Sequence, residues 1–281
     1  MIRSMLYVPA SSERFVAKAH ERGADAIILD LEDGVAPSEK TKARESLRDA
    51  VPAVARNGAP VFVRINSGTD AMLADAEAAC RAGAFGLFVP KTREPQALVR
   101  LAAHLDRIEG EVARAQTRLV PMIEDPGAVF DARAIAVATP RIFALLTGSE
   151  DLATAMGAEP TPDLLRLPKL MVHMAAKAAG VLSFGLMRSV ADYRDREGII
   201  EACREARDFG FDGATCIHPS VVPLLNEAFT PSPEKIDAAR RMVAAFEAAK
   251  AQGQGAFVFG GKMVDEPIVA RARALLATLS R

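Results

Sequence analysis

Eight short apolar runs, separated by longer amphipathic segments, constrain the fold of this chain more than any other feature of its sequence. The runs are continuous and rich in β-branched residues, which is typical of parallel strands that are buried on both faces. They cover residues 4–9, 26–31, 61–66, 86–91, 119–125, 142–148, 181–187 and 213–219. The segments between them have helical periodicity, and Gly83 and Gly210 follow two of them as helix C-caps.

A succession of eight strand–helix units predicts an α/β fold of the (β/α)8 TIM-barrel type. A doubly wound open sheet is the alternative, because the alternation of strands and helices does not by itself establish closure. The phosphate-binding fingerprints of open-sheet folds, G-x-G-x-x-G and G-x-x-x-x-G-K-[ST], are absent from the sequence. We therefore expect a barrel.

The C-terminal part of the chain breaks this rhythm. Ser232 and Pro233 predict the N-cap and first position of a long helix that ends near Ala251. Two short strands around Gly260-Gly261 predict a tight hairpin, and Asp265 opens a final helix that runs to the terminus.

The expected organisation is a catalytic barrel over residues 1–225 and a helical extension, or lid, over residues 226–281. Because the extension is small, we expect it to pack on the barrel or on a neighbouring subunit.

Composition excludes several classes of function. The 281 residues carry a formal net charge of −1, which argues against a nucleic-acid partner. We expect no membrane partner either, because no apolar run is long enough to span a bilayer and no signal peptide is recognisable. The three cysteines, Cys80, Cys203 and Cys216, lack metal-site spacing. The sequence therefore predicts a cytoplasmic protein without a zinc site.

Charged residues stand at the ends of the otherwise apolar runs. In a barrel, catalytic groups come from the C-terminal ends of the strands, and burying a charge there is costly unless it is paired or bound to a metal. The residues at these positions are Asp30, Glu32, Asp33, Arg64, Lys91, Glu124, Glu150, Asp151 and His218. Their convergence on one rim predicts the active site.

Glu124 and Asp151 follow neighbouring predicted strands. Two carboxylates without histidine or cysteine companions suit Mg²⁺, with substrate oxygens and water completing its coordination. The alternative is structural: Asp125-Pro126 and Ser149-Glu150-Asp151 could each begin a helix, where acidic residues are favoured by the helix dipole.

Arg64 lies inside a predicted strand, where it could clamp a substrate carboxylate through two hydrogen bonds or pair with Asp30 or Glu32. For Lys91 a salt bridge inside the rim is the favoured interpretation, with anion binding as the alternative. His218, directly before Pro219, is more often a packed residue than a catalytic base.

Several segments taken in order resemble a known family. They are RSMLYVPASSERFVAKA, GADAIILDLEDGVAPSEKTKAR, VRIN, FVPK, PMIEDPGAV, LTGSEDLA, IHPSVVPLLNEAFTPSPEKI and GGKMVDEP. Together they resemble the citrate lyase β-subunit-like (CitE-like) proteins of the HpcH/HpaI aldolase superfamily over nearly the whole chain. Two departures are the segment SFGLMRSVADYRD after the seventh strand and Ala214, where many relatives carry lysine.

The resemblance implies a (β/α)8 barrel, assembled as a homotrimer, that cleaves or forms a carbon–carbon bond beside an acyl-CoA thioester. By this resemblance Glu124 and Asp151 hold Mg²⁺, and Arg64 binds the carboxylate of the 2-oxo acid. The backbone amides of residues 148–151, among them those of Gly148 and Ser149, would assist Arg64. Arg14 and Lys18 would meet the phosphates of coenzyme A.

The resemblance also implies two acidic catalytic residues. Glu32 would act close to the metal. Asp265 would reach an adjacent subunit's site as acid or base. Its position before a predicted helix is equally that of an N-cap, and both roles can coexist.

Three functions remain open from the sequence. The first is a Mg²⁺-dependent lyase that converts a 3-hydroxyacyl-CoA thioester into an acyl-CoA and a 2-oxo acid. The second is a citrate lyase β subunit that acts on a citryl thioester bound to a carrier protein. The third is a CoA-independent class II aldolase of pyruvate-type substrates.

Overall fold

The computed structural model describes residues 1–253 and 255–279. The chain divides into two compact units: residues 2–229 form the larger one, and Met1 with residues 230–281 forms the smaller one. The helix Val222–Phe229 spans the expected domain boundary after residue 225 and belongs to the larger unit.

Eight parallel strands form the sheet of the larger unit. They are β1 (Ser4–Pro9), β2 (Ala26–Asp30), β3 (Val61–Arg64), β4 (Gly86–Val89), β5 (Arg118–Ile123), β6 (Ala144–Thr147), β7 (Leu182–Phe184) and β8 (Ala214–Cys216). From β1 to β7 each strand pairs with the next one in sequence, and β1 also pairs with β8. A bridge between Phe184 and Gly213 brings the remaining edges together. The predicted TIM barrel is confirmed, and the open-sheet alternative is wrong.

Helices connect the strands around the outside. They are α1 (Glu13–Ala19), α2 (Lys40–Val54), α3 (Thr69–Ala82), α4 (Pro95–Val112), α5 (Pro126–Ala136), α6 (Ser149–Ala155), α7 (Pro162–Ala179), α8 (Arg196–Phe209) and α9 (Val222–Phe229). Short 3-10 turns, Pro37–Glu39 and Pro219–Val221, precede α2 and α9. No helix in the described part of the chain is long and apolar enough to cross a membrane.

Most of the strands are shorter than their apolar runs, mainly at the C-terminal ends. The run 86–91 yields a strand that ends at Val89, and the run 181–187 yields one that ends at Phe184. The residues beyond these ends turn away from the extended conformation; Lys91, for example, has a φ of 50°. Ladder pairing needs extended backbone, so the last residues of these longer runs belong to the loops that build the rim.

The alternation of side chains along the strands separates two cores. Inward-facing residues fill the barrel: Met5, Ala26, Ile28, Phe62, Phe88, Val120, Met122, Ala144, Leu146 and Phe184. The residues between them, such as Leu6, Ile27 and Val63, pack against the helices. Side chains alternate between the two faces of a strand, so every second residue points into the barrel. The inward position that follows the last apolar one on a strand therefore lies at the C-terminal rim.

The smaller unit contains α10 (Pro233–Ala251), a hairpin of β9 (Phe257–Phe259) and β10 (Lys262–Val264), and α11 (Glu266–Thr278). The Ser232 hydroxyl accepts a hydrogen bond from the Lys235 amide, which confirms the predicted N-cap. The predicted hairpin is also confirmed. Phe246, Val264 and Val269 form a small core of this unit. The last helix was expected to reach the terminus, but residues 280 and 281 lie outside the described residues.

A buried ion-pair network stabilises the end of the barrel opposite the rim. Arg141 is only 1% exposed, and its guanidinium donates to both carboxylate oxygens of Glu109 at 2.9 and 2.6 Å. It also donates to the Thr117 carbonyl at 3.0 Å and pairs with Asp106. The Thr117 amide in turn donates to Glu109 at 2.6 Å. The network therefore joins α4 to the start of β5 and the approach to β6.

We predict that Glu109→Gln destabilises the protein by about 3 kcal/mol, because it removes the buried counter-ion of Arg141 and leaves only the solvent-exposed Asp106 to balance its charge. The measurement is the free energy of unfolding in urea. Glu111→Gln, two residues later on the same helix, is the matched control: Glu111 pairs with Arg81 and Arg107 at the surface and should matter little. Equal losses in both variants would contradict the assignment.

Candidate active site

The rim of the barrel carries a layer of charge above its apolar interior. Asp30 follows Ile28 on the inner face of β2, and Arg64 follows Phe62 on the inner face of β3. The register pairs Asp30 with Arg64, so the two side chains stand next to each other. Glu124 takes the corresponding position just after β5. The strand period thus places these charges at one level.

Arg64 is fixed from two sides. Its Nε and Nη2 groups each donate to one oxygen of Asp30 at 2.7 Å, in a two-pronged pair. The guanidinium lies 5.0 Å from the centre of the Tyr7 ring, within cation–π range. Burial raises the pKa of the Tyr7 phenol, so this ring stays neutral. The structural pairing considered for Arg64 is present, and one edge of its guanidinium is therefore engaged.

The other edge of Arg64 faces the rim. Its Nη1 lies 3.1 Å from a Glu32 oxygen and 3.3 Å from Asp33, whose side chain is exposed. Glu32 is 5% exposed, and burial raises its pKa despite the nearby Arg64 charge. The Lys91 ammonium lies 3.3 Å from the second Glu32 oxygen. Glu32 thus connects the two cationic side chains, and Lys91 forms the expected salt bridge inside the rim.

Glu124 is 5% exposed and accepts a hydrogen bond from the Lys91 backbone amide at 2.6 Å. The left-handed backbone of Lys91, with a φ of 50°, accompanies this contact. Burial raises the pKa of Glu124 to about 8; the Lys91 amide opposes this shift, and the nearby Asp151 and Glu32 carboxylates add to it. Among the residues that the structure describes, no cationic side chain forms an ion pair with Glu124, and Arg64 acts on its pKa only from a distance.

Gly148 makes room for Glu124. A Cβ atom at this position would overlap the Glu124 carboxyl group. The Gly148 amide donates to the Ile123 carbonyl at 3.1 Å. The sequence led us to expect that the amides of Gly148 and Ser149 bind a ligand. The Gly148 amide already donates within the protein. Ser149 is buried and is the first residue of α6.

Asp151 lies in the first turn of α6, with its side chain 40% exposed and one oxygen 3.9 Å from the Lys91 ammonium. The helix-start interpretation therefore also holds for this residue. Asp125 is the N-cap of α5 and accepts from the Gly127 amide, so that interpretation is confirmed beside Glu124.

The charge of the rim is unbalanced. Five carboxyl groups, those of Asp30, Glu32, Asp33, Glu124 and Asp151, outnumber the cations that contact them, Arg64 and Lys91, and the Lys40 ammonium bonds to the Glu32 backbone carbonyl rather than to a carboxylate. Within the described residues, no three His, Cys, Asp or Glu side chains enclose a metal position. Two carboxylates are nevertheless the donor set from which Mg²⁺ is held when water and substrate supply the other ligands. The residues present fit such an ion.

A groove of about 420 Å³ opens beside the rim. It exists because β1 and β8 pair only from Ser4 to Leu6, and above this level the strands are no longer joined. Its lining is mostly apolar and comes from β1, α1 and the loop after β8: Leu6, Tyr7, Val8, Pro9, Phe15, Ala19, Arg22, Ile217, His218 and Pro219. Tyr7 belongs to both the groove and the charged rim.

The structure brings together Glu32, Arg64, Glu124 and Asp151, as the sequence predicted. Arg14 and Lys18 are exposed on α1, the helix that lines the groove. Sequence reasoning missed Tyr7 and Arg22. The signal for Tyr7 was available, because it lies two residues after the inward-facing Met5 on the same strand.

Asp265 belongs to the smaller unit and is exposed. It occupies the N-cap position of α11, but its side chain makes no capping hydrogen bond. The predicted position is confirmed, and the predicted capping bond is absent.

We predict that Gly148→Ala destabilises the protein by about 1–3 kcal/mol, because the new methyl group must displace Glu124 or the backbone. Gly110→Ala is the control: it adds the same methyl group inside α4, where nothing lies within 4 Å, and should stabilise by about 0.5–1 kcal/mol. Thermal and urea unfolding measure both. An unchanged free energy of unfolding in Gly148→Ala would contradict this prediction, because it would show that Glu124 can move aside without destabilising the protein.

Comparison with known proteins agrees with this geometry. Residues 3–219 match the HpcH/HpaI aldolase/citrate lyase family. The chain is 37% identical over 278 residues to the (3S)-malyl-CoA thioesterase of Cereibacter sphaeroides, covering 98% of this chain and 93% of that protein. It is 33% identical to the citrate lyase β subunit of Escherichia coli, with 98% and 92% covered.

Solved structures of similar proteins belong to the same family. The CitE protein of Mycobacterium tuberculosis, crystallised with magnesium, acetoacetate and coenzyme A, superposes with a TM-score of 0.79 at 31% identity, covering 99% of this chain and 98% of that one. These relatives confirm the resemblance inferred from the sequence motifs and the expectation of an enzyme of the lyase/aldolase type. The chain belongs to the HpcH/HpaI aldolase/citrate lyase family.

Proposed function

We propose that this protein is a Mg²⁺-dependent carbon–carbon lyase that cleaves, or forms, a 3-hydroxyacyl-CoA thioester, with an acyl-CoA and a 2-oxo acid as the other partners. One observation carries the proposal: a rim with an excess of carboxylates adjoins an apolar groove flanked by basic residues. The rim suits a dication and a small polar acid. The groove suits the long, largely uncharged pantetheine arm that joins the thioester to the nucleotide of coenzyme A.

Glu124 and Asp151 would hold the Mg²⁺ ion. The CitE crystal structure from M. tuberculosis, which contains magnesium, supports this assignment for a relative of the same fold. When bound, the ion would polarise the carbonyl group of the 2-oxo acid. The Lys91 amide keeps Glu124 oriented, and the Gly148 position leaves it the space it needs.

Arg64 would bind the carboxylate of the 2-oxo acid. Because Asp30 engages Nε and Nη2, the substrate would meet the Nη1 side, where it would replace the exposed Asp33. Asp30 then acts as a positioning residue that fixes the plane of the guanidinium. Glu32 holds Arg64 and Lys91 in place. The Ser149 amide, at the start of α6, would assist at the same rim.

The thioester arm would lie in the groove. Its apolar walls exclude water from the arm, and the basic side chains of α1 and its C-terminal end would meet the phosphates of coenzyme A. These are Arg14 and Lys18, expected from the sequence, and Arg22, which lines the groove.

The proton balance of the reaction assigns a role to Asp265. In cleavage, the 3-hydroxyl group would pass its proton to a carboxylate of the rim, for which Glu32 is the candidate, and the electron pair of the broken carbon–carbon bond would end on the α-carbon of the acyl-CoA. That carbon must receive a proton, which Asp265 would supply. Its carboxyl group is exposed and makes no capping bond. We propose that it serves the site of a neighbouring copy, in a homotrimer.

A second candidate is hydrolysis of the same thioester. The 37% identity to a (3S)-malyl-CoA thioesterase favours it. The products differ: a lyase releases a 2-oxo acid and an acyl-CoA, whereas a thioesterase releases a 3-hydroxy acid and free coenzyme A. A third candidate is a citrate lyase β subunit that acts on a carrier-bound substrate, and the 33% identity to the citrate lyase β subunit of E. coli supports it.

We predict that the purified protein releases a 2-oxo acid from at least one 3-hydroxydicarboxyl-CoA thioester, and that EDTA abolishes this release. The assay is a panel of such thioesters with Mg²⁺ or EDTA, in which the 2-oxo acid and the free thiol are quantified separately. Thiol without 2-oxo acid would favour hydrolysis. Activity only on 2-oxo acids without coenzyme A would favour the aldolase, and no activity would favour the carrier-bound substrate.

Variants of the carboxylates provide the control for this panel. Glu124→Gln and Asp151→Asn should each lower turnover at least 100-fold, and calorimetry should show weakened Mg²⁺ binding. Glu150→Gln is the matched control, because Glu150 neighbours Asp151 but bonds to Ser189 instead. Full activity in both Glu124→Gln and Asp151→Asn would contradict the metal assignment.

We predict that Asp265→Asn keeps its melting temperature, since no capping bond is lost, but loses most turnover. An equal mixture of Asp265→Asn and Glu124→Gln protomers, refolded together, should regain about a quarter of wild-type activity if the aspartate comes from a neighbour. A mixture as inactive as its components would contradict sharing between subunits. A lower melting temperature with normal turnover would favour a purely structural role.

A further inference from the structure

His218 is held in one orientation at the end of β8. The Ser220 backbone amide lies 3.2 Å from its Nδ1 atom, and the Ser220 hydroxyl lies 2.7 Å from it. A backbone amide can only donate, so Nδ1 is the acceptor and the neutral ring carries its proton on Nε2. Within the described residues, no protein group accepts a hydrogen bond from Nε2.

Tyr193 stacks on the His218 ring. The ring centres are 4.6 Å apart and the planes differ by 13°. Tyr193 lies in the loop after β7, which Arg188 closes through ion pairs with Asp192 at 2.6 Å and Asp195 at 2.9 Å. This loop is also the segment in which the sequence departs from many relatives. The stack therefore fixes the imidazole plane from the loop after β7.

His218 forms part of the groove wall. The other lining side chains are apolar except for the Tyr7 phenol and the Arg22 guanidinium. The imidazole is consequently a fixed hydrogen-bond donor in a wall whose other polar side chains are those of Tyr7 and Arg22. An arm containing amide groups would leave a carbonyl unpaired in such a groove unless a donor faced it.

We propose that His218 recognises the pantetheine arm of the acyl-CoA: its Nε2–H donates to an amide carbonyl of the arm, and Tyr193 is the positioning residue that orients the ring. This inference rests on the proposed function, because it assumes a coenzyme A thioester in the groove. It assigns a specificity role to His218, which the sequence alone favoured as a packed residue.

The test compares two probes that share the nucleotide but differ in the arm: coenzyme A and 3′,5′-ADP. Calorimetry measures the affinity of each for the full-length protein. His218→Phe keeps a planar ring for the stack but removes the donor. We expect it to weaken coenzyme A binding roughly three- to tenfold, the value of one neutral hydrogen bond, and to leave 3′,5′-ADP binding unchanged.

Variants at position 193 separate stacking from hydrogen bonding. Tyr193→Phe retains the ring and should bind coenzyme A like the wild type. Tyr193→Ala should weaken coenzyme A binding in the same direction as His218→Phe, again without an effect on 3′,5′-ADP. In turnover assays, both His218→Phe and Tyr193→Ala should raise KM for the acyl-CoA and leave kcat nearly unchanged.

Two results would overturn the inference alone: unchanged coenzyme A affinity in His218→Phe, or an equal loss of affinity for both probes. A wild-type protein that binds neither probe would overturn the proposed function, and the inference with it. Circular dichroism and melting curves of each variant establish that any loss reflects the groove and not unfolding.

Discussion

The two-pronged pair between Asp30 and Arg64 is the interaction on which the site depends. It lies directly above the apolar interior of the barrel, where either charge alone would be costly to bury. Together they allow a charged layer to replace the next apolar layer. The guanidinium so fixed extends its free edge towards Glu32, and Glu32 connects it to Lys91. The pair therefore supports the rim as well as contributing to it.

Around this pair the rim is organised by backbone as much as by side chains. Lys91 adopts a left-handed conformation and directs its amide at Glu124, while the missing side chain of Gly148 leaves space for the same carboxyl group. The result is a buried carboxyl group that forms no ion pair with any cationic side chain in the described part of the protein, although the Arg64 charge is near enough to lower its pKa slightly. Such an arrangement is unfavourable by itself, and a divalent cation with an anionic substrate would relieve it.

The apolar runs predicted the number, order and direction of the strands, because a buried parallel strand needs a continuous apolar segment. They overestimated most strand ends, since a run does not show where ladder pairing stops; residue 91 is one such case. Charge at the strand ends predicted the charged rim that the structure shows. For Arg64 the sequence left substrate binding and pairing with Asp30 open, and the register shows that the pair forms.

Properties of neighbouring residues were thus determined by the sequence alone: the alternation of strands and helices, the cap at Ser232, the charged strand ends and the family motifs. The tertiary structure decided what depends on residues far apart in the chain. The pairing of β2 with β3 places Asp30 beside Arg64, and the end of β1–β8 pairing at Leu6 opens the groove. It also stacks Tyr193 on His218. Sequence periodicity describes one strand or helix, whereas these contacts depend on how several of them pack in three dimensions.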